Sequence, residues 1–257
     1  MNLLVTICAR AGSKGVKSKN MRDYLGVPIC WYTVSGLMLF KERYGESVGD
    51  ITLACNTDAD ELFSQLDRTR ADYLRVPRKP ELATDSASKI DVIRDTLREA
   101  EKATGKTFDM VVDMDLTSPL RRVVDIKNIV EALGNNPEAE VALSVTEARR
   151  NPYFNQLVEK EDGFLRTAIV SDFVARQQAP EVYDANASLY AYRPAFLLGT
   201  NTIIIKAKLV ASVMPDTAVL DIDSERDFEL ISLLGDYFFK NDREYGEIKD
   251  NIKNILR

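Results

Sequence analysis

A basic loop containing glycine follows the first apolar run of the chain. Leu3 to Cys8 reads as a buried strand that stops abruptly, and Arg10, Gly12, Lys14, Gly15, Lys17 and Lys19 come directly after it. Successive backbone N–H groups in such a turn form a nest for anions. Glycine permits unusual backbone angles and close approach of a ligand. With four cations around it, the loop suits a polyanion such as a triphosphate; the alternative is a solvated surface loop. Two standard phosphate loops fail on spacing. The string G-x-x-x-x-G-K-[ST] does not occur, and G-x-G-x-x-G is broken because Arg10 stands where its first glycine belongs.

The second chemical candidate is acidic. Asp221 and Asp223 stand two apart just before a helical pattern. In an extended segment, alternation puts both carboxylates on one face. Mg²⁺ takes one or two carboxylates with water and substrate phosphates. Ser224, Glu225 and Asp227 also form a good helix start, so capping is the alternative role for this stretch. Asp113 and Asp115 close another apolar run, and Asp113 is a candidate second metal ligand. The chain has no histidine. That excludes Ser-His and Cys-His nucleophile pairs and histidine-bound metals. Chemistry must come from carboxylates, cations, backbone amides and a hard metal.

Composition narrows the class. The 257 residues are 45% apolar and 29% charged, with a net charge of −6. This describes a globular protein with a real core. The acidic balance argues against a general nucleic-acid binder. Cys8, Cys30 and Cys55 sit apart in apolar surroundings and read as reduced core fillers, which points to the cytoplasm. Apolar runs fall short of membrane-spanning length, and residues 1–8 lack the features of a signal peptide.

The elements that must position these groups alternate. Strands are expected at 3–8, 51–55, 110–114 and 141–145, with helices near 29–43, 58–68, 88–103 and 123–134. Such alternation predicts an α/β fold, a mostly parallel twisted sheet with helices on both faces. Ligands bind at the carboxyl ends of strands in such sheets, which is where the basic loop begins. The rhythm breaks at 148–186, a polar stretch read as a small insertion. Strand patterns return at 187–192 and 202–205, a helix follows from Glu225 to Lys240, and a short polar helix closes the chain. The core is thus expected to comprise 1–147 and 187–257.

Five stretches resemble, in order, the motifs of the acylneuraminate cytidylyltransferases, which make CMP-activated nine-carbon sugar acids. They are "ARAGSKGVKSKN" (9–20), "RKPELATDSAS" (78–88), "LTSPLR" (116–121), "ARQQAPEVYDANASLY" (175–190) and "DIDSERDFE" (221–229). The resemblance implies a nucleotide-diphospho-sugar transferase type of sheet. CMP would pass from CTP to the anomeric hydroxyl of a sialic, legionaminic or related acid, with pyrophosphate released. Lys19, Arg10 and Lys14 would be catalytic. Ala11, Gly12, Ser13, Gly15, Asn20, Arg78, Ser86 and Ala87 would bind nucleotide. Asp115, Arg176, Asn186 and Tyr190 would face the sugar. Asp221 and Asp223 would hold Mg²⁺, and the segment 148–186 would exchange across a homodimer. Two departures bear on the acceptor: Asp115 stands where well-known relatives carry glutamine, and Phe154 stands about where they carry lysine. Both make the pocket less positive and favour a diacetamido, legionaminic-type acid. Activation of an eight-carbon sugar acid is the alternative, together with a non-catalytic nucleotide-binding role; retention of both acidic ligands argues against the latter.

Overall fold

The computed structural model describes residues 1–12, 15–200 and 202–257, with Arg176 described by its backbone alone. The first strand, β1 (Asn2–Cys8), is followed by a two-residue ribbon of β2 (Asp23–Tyr24) and β3 (Val27–Pro28) and then by α1 (Cys30–Val48). Next come β4 (Asp50–Thr57), α2 (Asp60–Asp67), β5 (Leu74–Pro77), α3 (Lys89–Thr104), β6 (Met110–Met114), α4 (Val123–Gly134) and β7 (Val141–Glu147). A hairpin of β8 (Leu157–Glu159) and β9 (Leu165–Thr167) lies in the predicted insertion. The chain ends with β10 (Tyr183–Tyr192), α5 (Pro194–Leu198), β11 (Leu209–Val213), α6 (Glu225–Asn241) and α7 (Arg243–Ile255).

Seven strands form the main sheet in the order β11-β7-β10-β6-β1-β4-β5. β1 pairs in parallel with both β4 and β6, so the loop after β1 leaves from the middle of the sheet. β10 is the antiparallel member, wedged between β6 and β7. Side chains of β1 alternate between two cores. Leu3, Val5 and Ile7 pack with residues of α1, α4 and α7, whereas Leu4 packs with Ile90, Ile93 and Leu97 of α3 and with Phe196 of α5. Helices therefore cover both faces, as the alternating pattern predicts. All three cysteines are free thiols.

Three expectations change. The strand expected at 187–192 begins at Tyr183, because Tyr183, Asp184 and Ala185 pair with Glu147, Thr146 and Val145 before a register shift. The last four residues of the expected insertion are thus sheet. Residues 202–205 do not form a strand: a short 3-10 turn covers Ile204–Lys206, and Ile205 is 85% exposed. Apolar type alone does not make a strand where no neighbour offers a ladder. The edge strand is β11, which pairs in parallel with β7. β5 was also unforeseen, since Arg75 and Pro77 disguise a short edge strand beside β4.

Near the C-terminus, α6 is fastened to the start of the chain. Tyr24 is fully buried, donates to the Ile231 carbonyl at 2.7 Å and packs against Tyr32, Phe228 and Phe239. Gly235 leaves room for that hydroxyl: a Cβ there would lie 1.9 Å from Tyr24 Oη. Gly235→Ala gains roughly 1 kcal/mol of helix propensity. Overpacking a tyrosine caged by three rings costs about 1–3 kcal/mol. We expect net destabilisation, seen as a lower urea midpoint; an unchanged or higher midpoint would show that Tyr24 moves freely.

Candidate active site

The carboxyl ends of β1 and β6 open into a cleft of about 380 Å³. The loop after β1 supplies Ala9, Arg10, Lys19 and Asn20. The segment leading into α3 supplies Arg78, Leu82, Thr84, Asp85 and Ala87. Lys89, Asp115, Thr117 and Ala187 also line it, as do Asp221 and Asp223.

The basic loop and the acidic loop are in contact. Lys19 Nζ donates to the Ile222 carbonyl at 2.8 Å and to Asp223 Oδ1 at 3.1 Å. A Cβ at Gly15 would lie 1.8 Å from the Asp223 carbonyl oxygen, so only glycine lets the two backbones meet this closely. Ser18, with φ at 52°, makes a left-handed step within the turn. The glycine at position 15 thus serves close approach.

Within the loop, Asn20 Nδ2 donates to the Arg10 carbonyl, and Arg10 reaches Asp85. The Ala11 N–H donates to Asp58 Oδ1 at 2.8 Å, so it is already engaged and does not belong to an open anion nest. Ala11, Gly12 and Gly15 are not among the residues that line the cleft. Ser13 and Lys14 lie outside the described residues. Arg78 is anchored by Asn56, donating from Nε to Oδ1 at 2.9 Å and from a terminal nitrogen to the Asn56 carbonyl at 3.0 Å.

The expectations for the sugar side divide. Asp115 lines the cleft, but it is not a carboxylate awaiting a donor. Lys89 Nζ lies 2.7 Å from Asp115 Oδ2 and 2.8 Å from Asp113 Oδ2, and Thr117 donates to Asp115 Oδ1 from both backbone and hydroxyl. Burial alone would raise the Asp115 pKa; Lys89 and Thr117 outweigh it and hold the group at about 2. Burial lowers the Lys89 pKa, but the two carboxylates prevail and keep the ammonium well above its ordinary range. Asp113, expected as a candidate second metal ligand, is fully buried, with Thr6 Oγ1 donating to one oxygen and Lys89 paired with the other, and it does not line the cleft.

Asn186 is also buried. It accepts from Ser144 Oγ and the Ser188 N–H, and its amide nitrogen points to the Met214 sulfur, while the neighbouring Ala187 lines the cleft. Asn186 falls where the pairing of β10 with β7 shifts register, and its side chain is held in the core. Tyr190 lies beneath the site, its ring centroid 5.6 Å from Lys89 Nζ and stacked with Tyr192. Ser86 is exposed, with its hydroxyl 3.3 Å from that of Thr84, and is not part of the lining. The side chain of Arg176 lies outside the described residues.

Asp221 is partly buried and Asp223 exposed. Burial, then repulsion from Asp223, raises the Asp221 pKa. Glu225 and Asp227 have the helix-start role expected of them: Ser224 Oγ accepts from the Asp227 N–H, and Asp227 accepts from the Ser224 N–H. Sequence reasoning missed Lys89 and Arg121. Lys89 looks like an ordinary first-turn helix residue after the Ser88 cap. Arg121 is 4% exposed and donates to Ser188 Oγ and to the carbonyls of Asp115, Ser118 and Ser188. It ties the turn after β6 to β10; burial lowers its pKa to about 10.

A mostly parallel sheet whose central loop sets Lys19 against Asp223 has the arrangement of an α/β nucleotidyltransferase, and the comparisons with known proteins give that class. Residues 4–206 match the family model described as Cytidylyltransferase, and the chain belongs to that family. It is 35% identical over 235 residues to the CMP-N,N'-diacetyllegionaminic acid synthase of Campylobacter jejuni, covering 90% of this chain and 94% of that protein. It is 34% identical, over the same shares, to the post-translational flagellin modification protein B of Campylobacter coli. The N-acylneuraminate cytidylyltransferase of Streptococcus agalactiae is 28% identical across 93% of this chain and 54% of its own length. Among solved structures, a CMP:2-keto-3-deoxy-manno-octonic acid synthetase complexed with CTP is similar, with a TM-score of 0.65 at 14% identity across 92% of this chain and 99% of that one. At that identity the likeness is one of fold.

The Gly15–Asp223 contact makes a sharp prediction. Gly15→Ala should push the two loops apart while leaving the core folded. Misplacing reacting groups by about 1 Å costs on the order of 10²-fold in rate. Pyrophosphate release should fall by about that much with little change in melting temperature. Near-normal turnover would mean that the loops need not touch.

Proposed function

We propose that this enzyme transfers CMP from CTP to the anomeric hydroxyl of a nine-carbon 2-keto sugar acid of the sialic or legionaminic type, releasing pyrophosphate. The observation that carries this reading is the junction of Lys19 with Asp223 across the cleft, in a chain that belongs to the cytidylyltransferases. In the reaction, the acceptor oxygen attacks the α-phosphorus, the bond to the bridging oxygen breaks, and the acceptor proton is lost. Phosphoryl transfer of this kind is chiefly positioning and charge stabilisation. Arg10 and Lys19 line the cleft and hold the triphosphate, joined by Lys14 from the same loop. Arg78, fixed by Asn56, orients the nucleotide.

Asp221 and Asp223 fit a divalent cation, and we propose Mg²⁺. They are two carboxylates on one cleft, and mutual repulsion contributes to the raised pKa of Asp221. Such a pair calls for a cation, above all when a polyanion enters. When bound, the ion would neutralise phosphate charge and lower the pKa of the acceptor hydroxyl.

For the acceptor we favour a diacetamido acid of the legionaminic type. The support is the 35% identity to a synthase named for that product. The likeness to an octonic acid synthetase is one of fold, so it does not favour the eight-carbon alternative. The test is pyrophosphate release from CTP and a divalent cation with a panel of sugar acids. We expect the highest kcat/KM with N,N'-diacetyllegionaminate and loss of activity in EDTA. Equal or better use of N-acetylneuraminate would remove the acceptor assignment; full activity in EDTA would leave Asp221 and Asp223 without a metal role.

We further propose a cytoplasmic homodimer formed through the segment after β7. Among the described residues, Phe164, Leu165, Val170 and Val174 are 68%, 62%, 83% and 84% exposed, an unusual apolar display. A two-fold partner is the commonest cover for such a surface. Light scattering at working concentrations should give twice the mass of one chain; a monomer would refute the dimer and any shared site involving Arg176. No helix among the described residues is long and apolar enough to cross a membrane.

A further inference from the structure

Among the described residues, four carboxylates line a cleft proposed to take a triphosphate: Asp85, Asp115, Asp221 and Asp223. Three already have a role. Asp115 is engaged by Lys89 and Thr117, and Asp221 and Asp223 fit a cation. Asp85 has no part in the transfer just described, and a carboxylate near incoming phosphates repels them. Helix capping does not account for it, because Ser88 caps α3 and Asp85 stands three residues before that cap. What Asp85 does is pair with Arg10, linking the segment that enters α3 to the loop after β1.

The pair is suited to exchange. The side chains of Arg10 and Asp85 are 32% and 52% exposed, and ion pairs this open to water add little to stability. The backbone around Arg10 is held independently. The Ala9 N–H donates to the Asn56 carbonyl at 3.1 Å, Asn20 Nδ2 to the Arg10 carbonyl at 3.1 Å, and the Ala11 N–H to Asp58 Oδ1 at 2.8 Å. Breaking the pair therefore moves side chains and leaves these bonds in place. A guanidinium offers the same planar set of donors to carboxylate and to phosphate. An arriving phosphate can take over the donors that Asp85 held.

We propose that Asp85 is a positioning residue that acts as a displaceable counter-ion. It holds the Arg10 guanidinium at the cleft before nucleotide arrives and yields it to the phosphates of CTP. The inference rests on the proposed CMP transfer. As pyrophosphate leaves, Asp85 competes for Arg10 again, so the pair weakens the binding of substrate and leaving group alike. The Lys19 pair is different in kind: its partner Asp223 belongs to the proposed cation site, so exchange there is tied to the metal.

The test is calorimetric binding of CTP and of inorganic pyrophosphate, in a fixed excess of Mg²⁺ and without acceptor. It compares the wild-type enzyme, Asp85→Asn, Arg10→Met and the double variant, with Asp85→Ala as a second variant should the asparagine fold poorly. Asp85→Asn should bind both ligands about 3- to 10-fold more tightly, the scale of one exposed ion pair lost and one like charge removed. If Asp85 acts through Arg10, the two effects are coupled, and in the Arg10→Met background the same substitution should change affinity by less than about twofold. Unchanged or weaker binding by a folded Asp85 variant would overturn the proposal. So would a gain that persists without Arg10, since that is plain repulsion between Asp85 and the phosphates. No binding of CTP by the wild-type enzyme would instead overturn the transfer reading on which the proposal rests.

Discussion

The close approach of Gly15 to the Asp223 carbonyl is the constraint on which the site depends. It joins a loop near the start of the chain to one near its end, and no side chain beyond hydrogen fits between them. Lys19 strengthens the junction with bonds to Ile222 and Asp223. Both partners are held from behind. β1 lies between β4 and β6 in the sheet, so its carboxyl end cannot wander. The segment carrying Asp223 runs straight into α6, whose start is capped by Ser224 and Asp227 and whose body is pinned by Tyr24. A cationic loop and an acidic loop placed in this way create one cleft in which a polyanion and a cation can meet.

Charge at the end of β6 is managed differently. A carboxylate buried without a partner would cost several kcal/mol, roughly 3–5 when one member of a buried pair is removed. Asp113 avoids this with Thr6 and Lys89, and Asp115 with Lys89 and Thr117. Arg121 holds the turn that follows by binding its carbonyls and the facing strand β10. These contacts connect four separate stretches, β1, the start of α3, the end of β6 and the middle of β10. The floor of the cleft is therefore a rigid polar network, whereas its rim carries exposed groups such as Asp223 and Asp85.

Beyond the sheet, the hairpin β8–β9 leaves apolar side chains uncovered. The main sheet is by contrast well covered, with helices on both faces. The segment after β7 thus has little of its own to pack against. The boundary is less clean than a change of composition suggests, because β10 starts inside the polar stretch and pairs with β7 from Tyr183 onward.

Local pattern was enough for most of the frame. β6 and α4 fall on the expected residues, and β1, β4, β7, α1, α2 and α3 lie within a few residues of expectation, because each is a strong apolar period closed by turn or cap residues. The same holds for the basic loop and the acidic pair, whose residue types announce their charge wherever they are placed. What local pattern could not supply was partnership. Ile203 to Ile205 looks like a strand but finds no ladder, while Leu209–Val213 becomes one because β7 has a free edge. Asn186 reads as a turn residue at a strand entrance, yet it is buried and bonded to Ser144 and Met214. Asp115 looks like an unpaired acid until α3 delivers Lys89 to it. The sequence by itself determined the alternating α/β frame and the chemical character of the two loops, since these follow from residue type and short-range period. Only the tertiary structure decided which carboxylates are spent and which are free, because that depends on contacts between residues far apart in the chain.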